Sequence, residues 1–427
     1  MTVVIMAGGK GTRVAKIAND IPKPMMRIAG KPILEHQLCC LASNNLKNIT
    51  IVTGHLGDAI SKYFGTGERF GVSVSYYNET LPLGTAGALF KMLDSLDEEI
   101  LLINGDIIFD VDIERIVQFH RKKNALATLV THPNSHPYDS SILVTNNEQR
   151  VTAWLGKEDE RRFYKNEVNA GIHLLSKKLL LSVNIEKEKI DLDSDILKPA
   201  LGGGGIFAYN TPEYIKDMGT PERFASVTHD VESGLVGAKN LSRRQRAIFL
   251  DRDGTINRAS GFVCSPEELV LIDGAAEAIK KINSSGYLAI VITNQPVVAR
   301  GQVSLETLEE IHRKLETDLG KEGAYLDAIY FCPHHPDKGF EGELAEYKIE
   351  CECRKPKPGM LLQAAKKFNI DLTESWMTGD SWRDVEAGAA AGCKSAMLQG
   401  NETKAGIKPA DGVPLYNNLL EFAGSIL

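Results

Sequence analysis

Short runs of β-branched and aromatic residues alternate with helix-length segments along nearly the whole chain, in two successive series. In the first, Thr2–Met6, Ile49–Thr53, Val72–Tyr77 and Ile100–Asn104 are β-rich, while Ile33–Ser43, Leu56–Phe64 and Thr85–Leu93 read as helices. Parallel strands need a crossover connection, which is most often a helix. The alternation therefore predicts an α/β architecture on a mostly parallel sheet. From Leu126 to Tyr209 the pattern is richer in strands and less regular, as expected of a substrate-binding subregion. The second series starts near Arg246. Ala247–Leu250, Tyr287–Thr293 and Ala324–Phe331 read as strands, and Ala275–Asn283, Ser304–Leu319 and Gly359–Phe368 as helices, with Asp273 expected to cap the first of these. The polar stretch Val231–Arg244 between the series marks a junction. Two domains are expected, 1–235 and 245–427, a division that suits 427 residues.

Composition excludes several classes of function. The formal charge of −7 gives no basic excess of the kind that coats nucleic acid. No apolar run approaches 18 residues, so a membrane span is not expected. Met1–Met6 has neither a basic flank nor a cleavage site, so no signal peptide is read there. Seven cysteines are sparse and odd in number, which argues against a disulfide framework and for the reducing cytoplasm.

Ala7-Gly8-Gly9-Lys10-Gly11-Thr12-Arg13 follows the first strand directly. Glycines let the backbone approach a polyphosphate, and successive N–H groups can cradle its charge. Arg13 adds a fixed positive charge, and Pro22-Lys23-Pro24 holds a lysine between prolines, suited to a phosphate. Further along are Leu83-Gly84-Thr85-Ala86-Gly87, Asn104-Gly105-Asp106, Asn169-Ala170-Gly171-Ile172 and Asp217-Met218-Gly219-Thr220-Pro221. In this order the motifs resemble the sugar-1-phosphate nucleotidylyltransferases over about residues 1–225. The resemblance implies a Rossmann-like, GT-A-like domain. It implies that Ala7, Gly8, Gly9, Gly11 and Thr12 hold the triphosphate, that Gly84, Thr85 and Gly87 read the base, and that Asn169 and Gly171 bind the sugar. Arg13 and Lys23 would act as the catalytic cations, with Asp106 and Asp217 holding Mg²⁺. Lys157 resembles a family lysine that binds the sugar phosphate, although Gly156 stands where the family has an acidic residue.

The second series opens on Asp251-Arg252-Asp253-Gly254-Thr255 after an apolar strand. Two carboxylates at i and i+2 beyond a strand end can serve as nucleophile and as acid–base group at one phosphate. Thr293-Asn294-Gln295, Lys355 in Cys353-Arg354-Lys355-Pro356, and Gly379-Asp380-Ser381-Trp382-Arg383-Asp384 follow in order. Together they resemble the haloacid-dehalogenase-like (HAD) phosphohydrolases over residues 246–400. The resemblance implies Asp251 as nucleophile, Asp253 as acid–base, Thr293, Asn294 and Lys355 at the phosphoryl group, and Asp251, Asp253 and Asp380 at Mg²⁺, with Asp384 beside them. Thr293 lies 42 positions after Asp251, which leaves no room for a large cap. Cys332-Pro333-His334 and Cys351-Glu352-Cys353 have the spacing of a closed structural Zn²⁺ site, with His335 an alternative ligand to His334.

This zinc-loop arrangement resembles the phosphatases of D-glycero-D-manno-heptose 1,7-bisphosphate and of histidinol phosphate. Arg300 and Arg354 are candidates to grip a second phosphate. The heptose enzymes continue Asn-Gln with a small residue and glycine, whereas Pro296-Val297-Val298 follow here. The first half most resembles heptose-1-phosphate guanylyltransferases, then mannose-1-phosphate guanylyltransferases, and GTP is the donor this implies. A phosphatase that yields a sugar 1-phosphate, fused to an enzyme that consumes one, points to two consecutive steps. The alternatives are a mannose- or hexose-1-phosphate nucleotidylyltransferase joined to a histidinol-phosphate-like or other small-molecule phosphatase, and a chain in which one half is a degenerate ligand-sensing module. The expected partners are sugar phosphates and a nucleoside triphosphate, with no nucleic acid or membrane.

Overall fold

The computed structural model describes residues 1–8, 21–54, 56–259, 261–339, 341–400, 403, 406 and 412–427. Two compact units emerge: 1–132, 143–156 and 167–240 form the first, and 133–142, 157–166 and 241–427 the second. The segments 133–142 and 157–166 precede the main crossing at 240–241 yet group with the second unit.

In the first unit, β1 (Thr2–Met6), β2 (Asn48–Thr53), β3 (Ser73–Asn78) and β4 (Glu99–Asn104) lie parallel in the order β3–β2–β1–β4. Val3, Val4 and Ile5 on β1 and Ile100 to Ile103 on β4 are almost wholly buried on both faces. Such unbroken apolar runs suit strands covered on either side. α1 (Ile33–Ser43) turns Leu34, Leu38 and Leu41 into one core, and α2 (Gly57–Phe64) adds Ile60 and Phe64 to it. Beyond this parallel set the chain forms β5 (Ile107–Asp110), β6 (Ala127–His132), β7 (Ile142–Thr145), β8 (Val151–Leu155), β9 (Val168–Ser176), β10 (Ile206–Asn210) and β11 (Tyr214–Asp217). β9 runs antiparallel to both β4 and β6, so the sheet is mixed, with nine strands among the described residues. β5 and β11 form a separate antiparallel ladder in which Asp217 stands opposite Ile107. α3 (Ile113–Lys123) is capped by Asp112, and α4 (Pro221–Glu232) by Thr220 with proline at its first position.

In the second unit, β12 (Arg246–Leu250), β13 (Tyr287–Asn294), β14 (Ala328–Cys332), β15 (Trp376–Gly379), β16 (Lys394–Leu398) and β17 (Leu415–Tyr416) form a parallel sheet in the order β14–β13–β12–β15–β16–β17. The helices are α5 (Ala275–Asn283), α6 (Leu305–Lys321), α7 (Gly359–Phe368), α8 (Trp382–Ala391) and α9 (Leu419–Ile426). By position in the chain the strands read 3-2-1-4-5-6, the doubly wound Rossmann order, in which the crevice opens at the carboxyl ends of the first and fourth strands.

Three local expectations are corrected. α5 is entered through Gly274 at φ +84° with no side-chain cap, and Asp273 points to Arg258 at 3.8 Å instead. The helix read over Thr85–Leu93 spans only Gly87–Lys91. The strand read from Ala324 begins at Ala328, because Tyr325 donates its N–H to Asn283 Oδ1 and its carbonyl accepts from Asn283 Nδ2, at 3.0 and 2.9 Å. Those backbone groups are satisfied before the ladder can claim them. Among the described residues, no helix is long and apolar enough to cross a membrane.

Candidate active sites

The first unit builds its site at the switch between β1 and β4. Ala7, directly after β1, donates its N–H to Val52 O, and Gly105, in the turn after β4, donates its N–H to Met6 O, both at 2.9 Å. Gly9, Gly11, Thr12 and Arg13 lie outside the described residues. Asp106 follows β4, and Lys23 Nζ reaches its Oδ2 at 2.5 Å. The β5–β11 register sets Asp217 across from the residue that follows Asp106. Asp217 accepts from Gly219 N–H at 2.8 Å and from Arg223 Nη1 at 3.0 and 3.1 Å. Each expected metal ligand is therefore a half-exposed carboxylate with a cation against it. Hard carboxylate oxygens at neighbouring positions suit Mg²⁺ shared with substrate phosphates.

The expected sugar strand is shaped by a register shift in β9 between Asn169 and His173. Gly171 takes φ +74° there, and a Cβ would lie 2.6 Å from Asn104 Nδ2. The turn Gly84 to Gly87 is fastened elsewhere: Thr85 Oγ1 donates to Asp191 Oδ2 at 3.1 Å and accepts from Leu192 N–H at 2.7 Å. Lys157 groups with the second unit, is 56% exposed and pairs with Glu158 at 3.8 Å.

The second unit gathers its charged groups at the switch point between β12 and β15. Asp251, Asp380 and Asp384 each offer an oxygen within 4.8 Å of the others. Lys355 Nζ sits 2.8 Å from Asp251 Oδ1 and 2.6 Å from Asp384 Oδ1. Gly254, at φ +83°, leaves the space Asp380 needs, since a Cβ there would lie 2.2 Å from its Oδ2. Burial pushes Asp384 up to about 7 against the pull of Lys355, with Asp251 and Asp380 adding to the rise. Burial would also depress Lys355, but the Asp251 and Asp384 carboxylates outweigh it and raise the ammonium above its usual range. Three clustered carboxylates, two of them paired with one ammonium, leave excess negative charge, which a divalent cation would neutralise.

Asp253, expected among the Mg²⁺ ligands, does not join this group. Its oxygens accept from Asn257 Nδ2 at 2.8 Å, from Arg252 at 2.9–3.2 Å and from Gln295 Nε2 at 2.7 Å. Burial favours its neutral form, yet the Arg252 charge and these bonds hold it below the ordinary carboxylate range. Thr293 is buried at the end of β13. Asn294, expected on substrate, grips the main chain of Lys355: Nδ2 donates to Lys355 O and Oδ1 accepts Lys355 N–H, both at 3.0 Å. Arg354 Nη1 donates to His334 O at 3.1 Å, and Arg300 lies over the Phe262 ring at 4.6 Å. The expected roles did not include Arg252, Asn257 or Gln295 in the Asp253 cradle; the only signal was their closeness to Asp253 and Thr293 in sequence.

Cys332, His334, Cys351 and Cys353 converge. Sulfur–sulfur separations are 3.2–3.5 Å, and His334 Nδ1 lies 3.4 and 3.7 Å from Cys353 and Cys332. A Zn²⁺ tetrahedron with usual bond lengths has edges of about 3.8 Å between sulfurs and about 3.5 Å from sulfur to nitrogen. A disulfide would need about 2 Å. The donors fit the metal, and His334, not His335, completes them; His335 Nδ1 accepts from Asp337 N–H. Hydrogen bonds from Cys332, Cys351 and His334 lower the Cys353 thiol, while the bond to Cys353 and burial raise Cys332, so a bound cation would be needed for all the thiols to ionise together.

Residues 2–234, more than half of the chain, match the nucleotidyl transferase family. Residues 352–421 match the HAD-hydrolase-like family. The D-glycero-beta-D-manno-heptose-1,7-bisphosphate 7-phosphatase of Pasteurella multocida is 44% identical over 154 residues, 36% of this chain and 81% of the relative. The chain belongs to the nucleotidyl transferases and the HAD-like phosphatases together. This transferase–phosphatase is also 41% identical to the D-glycero-alpha-D-manno-heptose-1,7-bisphosphate 7-phosphatase of Burkholderia mallei, over 36% of its own length and 80% of the relative's. HddC from Yersinia pseudotuberculosis, a solved structure, is 25% identical, covering 54% of this chain and 99% of that one at a TM-score of 0.48.

Proposed function

We propose that the chain catalyses two consecutive steps: removal of the 7-phosphate of D-glycero-D-manno-heptose 1,7-bisphosphate, then transfer of GMP from GTP to the heptose 1-phosphate, releasing pyrophosphate. The observation that carries this reading is the meeting of Asp251, Asp380 and Asp384, two of which pair with Lys355, on a chain whose first unit sets Asp217 opposite the residue that follows Asp106. The heptose follows the relatives' names, and GTP follows the motif resemblance of the first half. Reduced thiols and a nucleoside triphosphate suit the cytoplasm as its place of work.

In the phosphatase, Asp251 attacks phosphorus and the bond to the sugar oxygen breaks, with Asp253, which the negative charge of the bound phosphate would help to protonate, giving that oxygen a proton. Water then attacks the aspartyl phosphate, Asp253 takes a proton, and phosphate leaves. Thr293 and Lys355 hold the transferring group. Mg²⁺ held by Asp251 and Asp380 with Asp384, and in the other unit by Asp106 and Asp217, would neutralise phosphate charge. In the transferase, an oxygen of the sugar phosphate displaces pyrophosphate from the α-phosphorus, while Arg13 and Lys23 offset the leaving charge. Zn²⁺ on the Cys₃His set would brace the loop that delivers Lys355.

The test is incubation of the full chain with each anomer of the heptose bisphosphate, Mg²⁺ and each of the four nucleoside triphosphates in turn. Phosphate should appear first, and pyrophosphate should follow with GTP. Failure of phosphate release removes the heptose substrate; pyrophosphate from another nucleotide, or from none, removes GTP.

A further inference from the structure

Four side-chain N–H groups converge on Asp253, and they are not equivalent. Arg252 and Asn257 belong to the same turn, so they fix the carboxylate only within its own loop. Gln295 comes from the end of the neighbouring strand. Its Nε2 donates to Asp253 Oδ2 at 2.7 Å and to Thr293 Oγ1 at 2.9 Å, while its Oε1 accepts from Arg252 Nη2 at 3.0 Å. The amide has one workable orientation, because the flipped form would set an oxygen against a carboxylate and an NH₂ against a guanidinium. Its main-chain N–H is tied to Cys332 O at 2.8 Å, and the residue is 2% exposed. Gln295 therefore cannot be a solvent-facing polar residue with loose partners. It bridges the expected acid–base carboxylate and the expected phosphoryl contact on the adjacent strand.

We propose that Gln295 is a positioning residue for phosphoryl transfer, whose side-chain amide fixes the Asp253 carboxylate in place relative to Thr293. This rests on the reading of Asp253 as the acid–base group. Without the bridge, Asp253 keeps its charge partner but loses its fixed distance to the phosphoryl pocket. The loss should be felt most where proton delivery to the leaving oxygen matters most.

The experiment compares phenyl phosphate, a poor leaving group, with p-nitrophenyl phosphate, a good one, using the full chain with Mg²⁺. Gln295→Met should lower kcat on phenyl phosphate by about 10- to 100-fold with KM within about 2-fold, the scale of an ångström-level misplacement. The loss on p-nitrophenyl phosphate should be at least about five-fold smaller, since less general-acid help is at stake. In an Asp253→Asn background, Gln295→Met should cost nothing further on p-nitrophenyl phosphate, because the two residues act as one unit. Equal losses on both esters, an added loss in that background, or a raised KM at unchanged kcat would each overturn the proposal. Should Gln295→Met not fold, the isosteric Gln295→Glu, which sets an oxygen against Asp253, is read by the same comparison and should lose more. If Asp253→Asn alone keeps full kcat on phenyl phosphate, the acid–base reading is what fails. If Asp253→Asn loses turnover and Gln295→Met does not, the positioning role alone fails.

Discussion

Lys355 concentrates the phosphatase's electrostatics in one atom. It is 3% exposed and Asp384 1%, so neither charge has water to fall back on. Lys355→Met should abolish phosphate release and destabilise the second unit by about 3–5 kcal/mol, the usual cost of a buried carboxylate left without its partner. A denaturant titration checks this, and added Mg²⁺ should restore part of the loss. Asn294 acts on the same lysine through its backbone. Asn294→Leu removes two hydrogen bonds of about 1 kcal/mol each, and should cut phosphate release by about ten-fold or more through misplacement. Comparing kcat with KM on one phosphate ester decides whether Asn294 positions the lysine or touches substrate, since only the latter raises KM with kcat kept. The Asp-x-Asp and Lys-Pro segments were legible in the sequence because reacting groups are restricted to few residue types. The amides that hold them were not, because an amide's partners depend on which strands become neighbours.

Strand β9 carries both the expected sugar contacts and a liability. Its register shift depends on Gly171, and Gly171→Ala should depress nucleotidyl transfer while leaving phosphate release intact, as parallel pyrophosphate and phosphate assays on one preparation would show. Two residues on, His173 is fully buried opposite Leu102 and Leu129, and burial lowers its pKa to about 4. The unfolded chain binds a proton near pH 6.5 that the folded one refuses until about 4, so stability falls as pH drops through that window. The contribution is about 2 kcal/mol by pH 5. His173→Leu should remove this part of the acid sensitivity, read as a flatter dependence of the first unit's melting temperature between pH 7 and 5. Where composition and period agreed, as in α1, α5 and α7, the elements stand where the sequence put them. Where a side chain took over backbone hydrogen bonds, as Asn283 does at Tyr325, the pattern misled.

On the scale of the molecule, each unit has its own apolar cores. Asp251→Asn should stop phosphate release yet spare nucleotidyl transfer from supplied heptose 1-phosphate, and Asp106→Ala should do the reverse. A folded variant that loses both reactions would contradict the division of labour. Stripping the Cys₃His set with a chelator and then restoring Mg²⁺ should lower phosphatase activity and the second unit's melting temperature, with nucleotidyl transfer retained. Zinc release followed by a colorimetric indicator measures occupancy independently.

The chain by itself showed that two α/β series follow one another, each with candidate groups for its own phosphate chemistry. Periodicity and residue type are local properties, and local properties survive in a one-dimensional record. Only the folded state decided that Asp384 rather than Asp253 meets Asp251 and Asp380, and that 133–142 and 157–166 group with the later unit. Those outcomes turn on which strands pair and where a side chain has room, and distances across a sheet are written nowhere in the spacing of residues along it.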